Sequence, residues 1–119
     1  MLNELIPKFL SACEGDSVLQ DFGKKRPLTI QFEISDQDLA FYISFVDGMV
    51  KTGLGQATPP AHMTLKMDET IFDGIMFGKI NGASAAMSGK LHYRGDTMRG
   101  MALQKVINDI IRLYNQSKG

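Results

Sequence analysis

The sequence predicts an α+β fold: a five-stranded, mainly antiparallel sheet covered on one face by helices. Three observations carry that expectation. Apolar residues recur every second position through the middle of the chain, and every third or fourth position toward its ends. Asp47-Gly48 joins two alternating runs as a two-residue hairpin turn. Strands and helices are segregated rather than regularly alternated, which favours a mixed α+β arrangement over repeated βαβ units.

Element by element, Leu2, Leu5, Ile6, Phe9, Leu10 and Cys13 keep helical spacing, with Pro7 predicting a kink or a late start. Asp16 or Ser17 can cap a second short turn through Val18, Leu19 and Phe22. Gly23-Lys24-Lys25-Arg26-Pro27 reads as a solvated loop. Leu28, Ile30, Phe32 and Ile34 then alternate with polar residues as a half-buried strand. Leu39, Phe41, Ile43 and Phe45 form a second strand, and Met49 to Thr52 a third. Gly53, Gly55, Pro59 and Pro60 punctuate a loop before a fourth strand on Met63, Leu65 and Met67. Asp68 caps a short helix carrying Ile71, Phe72, Ile75 and Met76 to Gly78, and Gly82 to Met87 form another helical turn. Leu91 and Tyr93 mark the fifth strand. Leu103, Val106, Ile107, Ile110, Ile111 and Tyr114 make the last helix the clearest amphipathic pattern in the chain.

At 119 residues the expectation is one domain over 1–119. Apolar residues make up 44% and charged residues 22%, which argues against disorder. Thirteen basic side chains balance thirteen acidic ones, so no nucleic-acid partner is expected. A single cysteine rules out an intramolecular disulfide. The longest strongly apolar stretch, Leu39 to Val46, is far shorter than the ~20 residues of a membrane span. With no secretory pattern at Asn3, Glu4, Pro7 and Lys8, the expected location is cytoplasmic.

No catalytic constellation emerges. His62 and His92 fall on the polar phases of their strands and read as surface residues. Cys13 sits on an apolar helix face, which makes it a buried, inert thiol. Paired carboxylates at Asp36/Asp38 and Asp68-Glu69 stand at element ends, where capping explains them. No nucleophile elbow, Walker loop, dinucleotide fingerprint or metalloprotease motif occurs, so neither catalysis, cofactor nor metal is expected. Six of the eight methionines fall between Met63 and Met101 (with Met67, Met76, Met87 and Met98). Such side chains either fill a core or form a deformable wall around ligands of varied shape.

The stretch from Phe72 through Gly78-Lys79, Ala86-Met87-Ser88-Gly89-Lys90-Leu91, Tyr93, Gly95-Asp96 and Ala102-Leu103-Gln104 resembles the sterol carrier protein 2 family. The strand Leu39 to Val46 with its Asp47-Gly48 turn is similar as well, and the likeness covers roughly residues 28 to 107. It implies a sheet and helices enclosing an apolar tunnel for a fatty acyl chain, acyl-CoA, isoprenoid or sterol-like ligand. The chain ends Gln116-Ser117-Lys118-Gly119 and carries no Ser-Lys-Leu-type peroxisomal address, and its last helix is longer than the shortest family members need.

The first functional expectation is therefore a non-catalytic lipid carrier. Inward positions Ile30, Phe32, Ile43, Phe45, Phe72, Met76, Met87, Met101, Leu103 and Ile107 would line its tunnel, and Lys79, Lys90, Arg94 or Arg99 would meet an anionic head group. The alternative is an accessory module of a lipid- or quinone-related assembly with a filled or vestigial cavity. Its last helix would present Ile110, Ile111 and Tyr114 to a protein partner or a second copy. Transient membrane-surface contact is compatible with either.

Overall fold

The computed structural model describes residues 2–24, 27–58, 60–95 and 97–118, apart from the side chains of Asn3, Thr97, Met98 and Arg99. The expectations placed on Lys25, Arg26, Pro59, Asp96 and the Met98 and Arg99 side chains lie outside the described residues. The elements follow the order α1 (Leu2–Glu14), α2 (Ser17–Gly23), β1 (Leu28–Ile34), β2 (Leu39–Val46), β3 (Met49–Leu54) and β4 (Met63–Met67). They continue with α3 (Glu69–Met76), α4 (Gly82–Met87), β5 (His92–Gly95) and α5 (Thr97–Lys118). Helix α1 is continuous from Leu2 to Glu14 with Pro7 inside it, so the late start does not occur.

The five strands form one sheet in the order β3-β2-β1-β4-β5. Three neighbouring pairs are antiparallel, while β1 and β4 run parallel, so the sheet is mixed. Asp47 and Gly48 both hold left-handed φ angles, 53° and 75°, as a tight two-residue hairpin turn requires. Register places Ile30 opposite Ile43 and Phe32 opposite Phe41, aligning the inward faces of β1 and β2. Among the described residues, no helix is long and apolar enough to cross a membrane.

The helices cover the inward face unevenly, and this decides where space remains. Over the β3-β2-β1 half, α1, α2 and the C-terminal part of α5 pack to a filled core containing Phe9, Ile30, Ile43, Phe45, Ile110 and Tyr114, all fully buried. Phe9, Phe41, Phe32, Phe72 and Tyr114 form a chain of rings 4.8–6.5 Å apart, mostly edge to face, that joins α1, β1, β2, α3 and α5. Glu14 at the end of α1 accepts bonds from the Thr52 N–H and hydroxyl, at 3.0 and 2.7 Å, and so fixes that helix over β3. Asp16 caps α2 by accepting from the Leu19 N–H at 3.1 Å and pairs with Arg112 of α5, also at 3.1 Å. This pair, with Asp109 beside it, raises the Arg112 pKa.

The outward face differs from its sequence reading at two polar-phase positions. Gln31 is only 2% exposed. Its amide donates to the carbonyls of Phe41 (3.0 Å) and Gly55 (2.9 Å) and accepts from the Ala57 N–H (2.8 Å). That satisfied amide pins the β3–β4 connection across the sheet. His62 is half-buried, and its Nδ1 accepts from the Thr29 N–H at 2.9 Å. Polarity along a strand reports the face, and a covering loop decided the burial. His92 is exposed as expected.

Candidate functional site: an apolar cavity under one half of the sheet

The β1-β4-β5 half of the sheet is covered by α3, α4 and the N-terminal part of α5, and here the coverage leaves a cavity of about 890 Å³. This lies within the ~300–1,000 Å³ of small-molecule sites. The sheet contributes Phe32, Leu65, Met67 and Tyr93, and α3 contributes Phe72, Ile75 and Met76. The opposite wall is α5, from Gly100 to Ile111, with Met101, Leu103, Gln104, Ile107 and Asn108 between them. Eleven residues of helix rise make this wall about 16 Å long. The remaining side is built from small residues, Gly82, Ala83 and Ala86, which reach too little into the space to fill it.

Two glycine-terminated helices shape that side. Gly78 and Gly89 adopt left-handed φ angles of 77° and 79° just past α3 and α4, where a side chain would be strained. The N–H groups of Lys79 and Ile80 turn back to the Gly74 carbonyl at 2.8 and 3.0 Å, and those of Lys90 and Leu91 to the Ala85 carbonyl at 2.9 and 3.1 Å. The same turn is thus used twice, and each time it delivers an apolar residue, Ile80 or Leu91, to the cavity wall. The Gly78-Lys79 and Gly89-Lys90 pairs are therefore helix stops that orient the wall. Gly74 packs directly under the Ile80 side chain, so a Cβ there would push Ile80 from its place on the wall. Helix α3 is capped twice, by Asp68 accepting from the Ile71 N–H at 2.8 Å and by Asp36 accepting from the Glu69 N–H at 2.9 Å.

One turn beyond Ile111, the exposed Asn115 donates to the Met76 and Ile111 carbonyls at 2.8 and 2.9 Å, locking α5 to α3. The Tyr114 hydroxyl donates to Asp73 at 3.4 Å, and burial, reinforced by the neighbouring Asp73 charge, pushes that phenol's pKa well up. Cys13 belongs to the filled half of the core, where burial first, and the Asp16 and Glu14 carboxylates next, raise its thiol to about 12. It stays protonated at neutral pH.

Of the ten expected wall residues, Phe32, Phe72, Met76, Met101, Leu103 and Ile107 do line this cavity. Ile30, Ile43 and Phe45 do not: they share the inward phase but lie in the filled half of the core. Phase along a strand says which face a residue takes, and only strand order says which half of the sheet it occupies. Met87 is also misplaced by the sequence reading, because at the end of α4 it points to solvent, 90% exposed. Met101 stands at the rim, 70% exposed. Leu65, Met67, Ile75, Ile80, Leu91, Tyr93 and Ile111 line the cavity without having been singled out for it. For Leu65 and Met67 the signal was present, as the inward phase of the fourth strand.

Lys79 is the charged residue of the lining, exposed at its edge among Asn81, Gln104 and Asn108. Lys90 instead borders a separate, more polar recess of about 400 Å³, together with Lys66, His92 and Asp68. Arg94 is exposed on β5, on the phase opposite the cavity-facing Tyr93. Ile110 and Tyr114 are fully buried, so α5 does not present them to a partner; Ile111 is half-buried against the cavity.

Comparison with known proteins gives this architecture its relatives. A family model described as the SCP-2 sterol transfer family matches residues 2–108. The Bos taurus protein named hydroxysteroid dehydrogenase-like protein 2 is 30% identical over 98 residues, covering 80% of this chain but 23% of its own length, so the chain spans under a quarter of that relative. A crystal structure of sterol carrier protein 2 superposes with a TM-score of 0.68 at 11% identity, covering 93% of each chain. A ubiquinone synthesis protein, UbiJ-SCP2, superposes at 0.55 with 14% identity, over 91% of this chain and 83% of that one. With a family match over nearly its whole length and the five-stranded sheet and helices of the fold in place, this chain belongs to the SCP-2 sterol transfer family.

Proposed function

We propose that residues 1–119 act as a single, non-catalytic, cytoplasmic lipid carrier that holds one acyl or isoprenoid chain in the cavity, with an anionic head group at Lys79. The observation that carries this reading is the cavity itself, about 890 Å³ of largely apolar space with a cation at its edge. An extended wall about 16 Å long suits a linear chain lying beside α5. A carboxylate or phosphate at the rim keeps its charge in water next to the Lys79 ammonium, so no ion has to be desolvated. A neutral sterol hydroxyl gains nothing comparable from that position.

Native mass spectrometry of the protein as purified, followed by displacement of a fluorescent fatty acid, tests this. We expect extra mass from bound lipid and affinity that rises with chain length from decanoate to palmitate. At ~0.8 kcal/mol per buried methylene, two carbons are worth roughly tenfold in Kd until the cavity is full. Lys79→Glu should weaken fatty acids more than the matching alcohols. Unliganded protein with a flat chain-length response overturns the proposal.

The second reading, an accessory module in a lipid- or quinone-related assembly, is favoured by the likeness in fold to UbiJ-SCP2. The same mass spectrum separates the two, because a module that acts only through its protein partners carries no lipid.

A further inference from the structure

The polar recess of about 400 Å³ lies at the carboxyl ends of the parallel strands β1 and β4. Ser35 directly follows Ile34, the last residue of β1, and Met67, beside Ile34 in the register, ends β4. Here the chain leaves β1 toward β2 on one side and leaves β4 toward α3 and β5 on the other, so the two connections part and a crevice remains between them. Met67 lines both this recess and the apolar cavity. On its flanks, consecutive residues divide between the two spaces: Ile71 lines the recess and Phe72 the cavity, Lys90 the recess and Leu91 the cavity. The two spaces stand back to back, with the buried Met67 as their partition.

The recess gathers donors that the protein itself does not use. Lys66 comes from β4, His92 stands opposite it on β5, Lys90 follows the left-handed Gly89, and Ser35 adds a hydroxyl. Among the described residues, none of these four side chains has a hydrogen-bond or ion-pair partner. Asp68 is the carboxylate of the lining, and its Oδ1 is committed to the Ile71 N–H at 2.8 Å. Nearby, Asp36 accepts from the Glu69 N–H at 2.9 Å, and Glu33, beside Lys66 in the sheet, accepts from Gln56 at 3.4 Å. The first turn of α3 is therefore already capped, and the free donors of the recess are side chains.

We propose that this recess is a second binding site, distinct from the apolar cavity, and that it takes the phosphate group of an organic phosphate. Lysine serves phosphate as a point charge. A phosphate ester also offers more acceptor oxygens than a carboxylate, enough for two ammonium groups, an imidazole N–H and a hydroxyl together. The volume exceeds the ~300 Å³ at which small-molecule sites begin, so the space takes more than a bare ion. Met67 and Ile71 give the organic part an apolar wall. A soluble phosphate ester and the head group of a lipid whose chain reaches past Met67 present the same group to the same donors. The site does not depend on the lipid-carrier reading.

Amide NMR of isotope-labelled protein, titrated with glycerol phosphate and with lysophosphatidic acid at constant ionic strength, tests the site and the source of its phosphate. We expect saturable shifts at Ser35, Lys66, Lys90 and His92. Lys66→Gln combined with Lys90→Gln removes two charges from exposed side chains, so binding should weaken at least about tenfold at an unchanged melting temperature. Lys51→Gln, on the opposite edge strand β3, should bind like the wild type. Binding of glycerol phosphate assigns the recess to soluble esters. The same shifts with lysophosphatidic acid alone, accompanied by shifts at Met67 and Leu65, assign it to a lipid head group. Absence of recess shifts with both compounds, binding that the double variant retains, or a Lys51 variant as impaired as the double variant overturns the proposal. Displacement of a fluorescent fatty acid in phosphate-free buffer reads the carrier function separately, so either can fail without the other.

Discussion

Helix α5 carries two apolar faces within one turn of each other, and one substitution made on each face tests whether the cavity is open space. Ile107 lines the cavity, while Ile110, three residues on, is 0% exposed in the filled core. Tryptophan at Ile110 has nowhere to go. Overpacking of this kind costs about 1–3 kcal/mol. For a chain of this length, at about 3–6 °C per kcal/mol, that is a fall in Tm of roughly 5–15 °C. The same change at Ile107 directs the indole into about 890 Å³ of space, so Tm should hold to within a few degrees. Ligand binding should behave in the opposite way. If the indole displaces four methylenes of a bound chain at ~0.8 kcal/mol each, affinity falls by about 3 kcal/mol, or over a hundredfold. Calorimetry and displacement of a fluorescent fatty acid read the two effects separately. An Ile107→Trp protein as destabilised as Ile110→Trp, or one that binds fatty acid like the wild type, would refute the reasoning. Met101→Trp is the milder companion: at 70% exposure the indole covers the rim, leaving stability unchanged and slowing ligand exchange.

Gln31→Ala leaves the half-buried Ala57 N–H and two carbonyls without their side-chain partner, so it should cost about 1–3 kcal/mol in urea unfolding and speed hydrogen exchange at Ala57; unchanged exchange would show that the loop is held by something else. The Cys13 thiol, raised from 9.0 to about 12, makes stability depend on alkaline pH. Below pH 9 both folded and unfolded chains keep the proton, and above it only the folded chain does, so stability declines toward pH 12 by at most about 1.4 kcal/mol per pH unit. Cys13→Ala should remove the decline between pH 9 and 10, leaving the one that the raised Tyr114 adds from about pH 10 upward; an equally steep decline between pH 9 and 10 would assign it elsewhere.

Local chemistry in the sequence was enough to specify the elements. The period-two runs became β1 to β4, Asp47-Gly48 became the hairpin turn, Asp68 capped α3, and the apolar stripe of residues 103–114 became α5. Each of these is decided by neighbours within a turn or a hairpin, so adjacent residues contain the information. The family pattern was legible for a related reason: its Gly-Lys pairs are helix stops, and a left-handed glycine leaves its mark on the sequence. The tertiary structure alone decided which half of the sheet stays open. Ile43 and Phe45 share the inward phase of Phe32 and Leu65, yet β2 lies under α1 and α2 while β4 lies under the short, alanine-rich α4. The parallel β1–β4 pairing that sets this strand order joins segments about thirty residues apart. A void is likewise a property of several distant surfaces that fail to meet, and no alternation along a single strand encodes it.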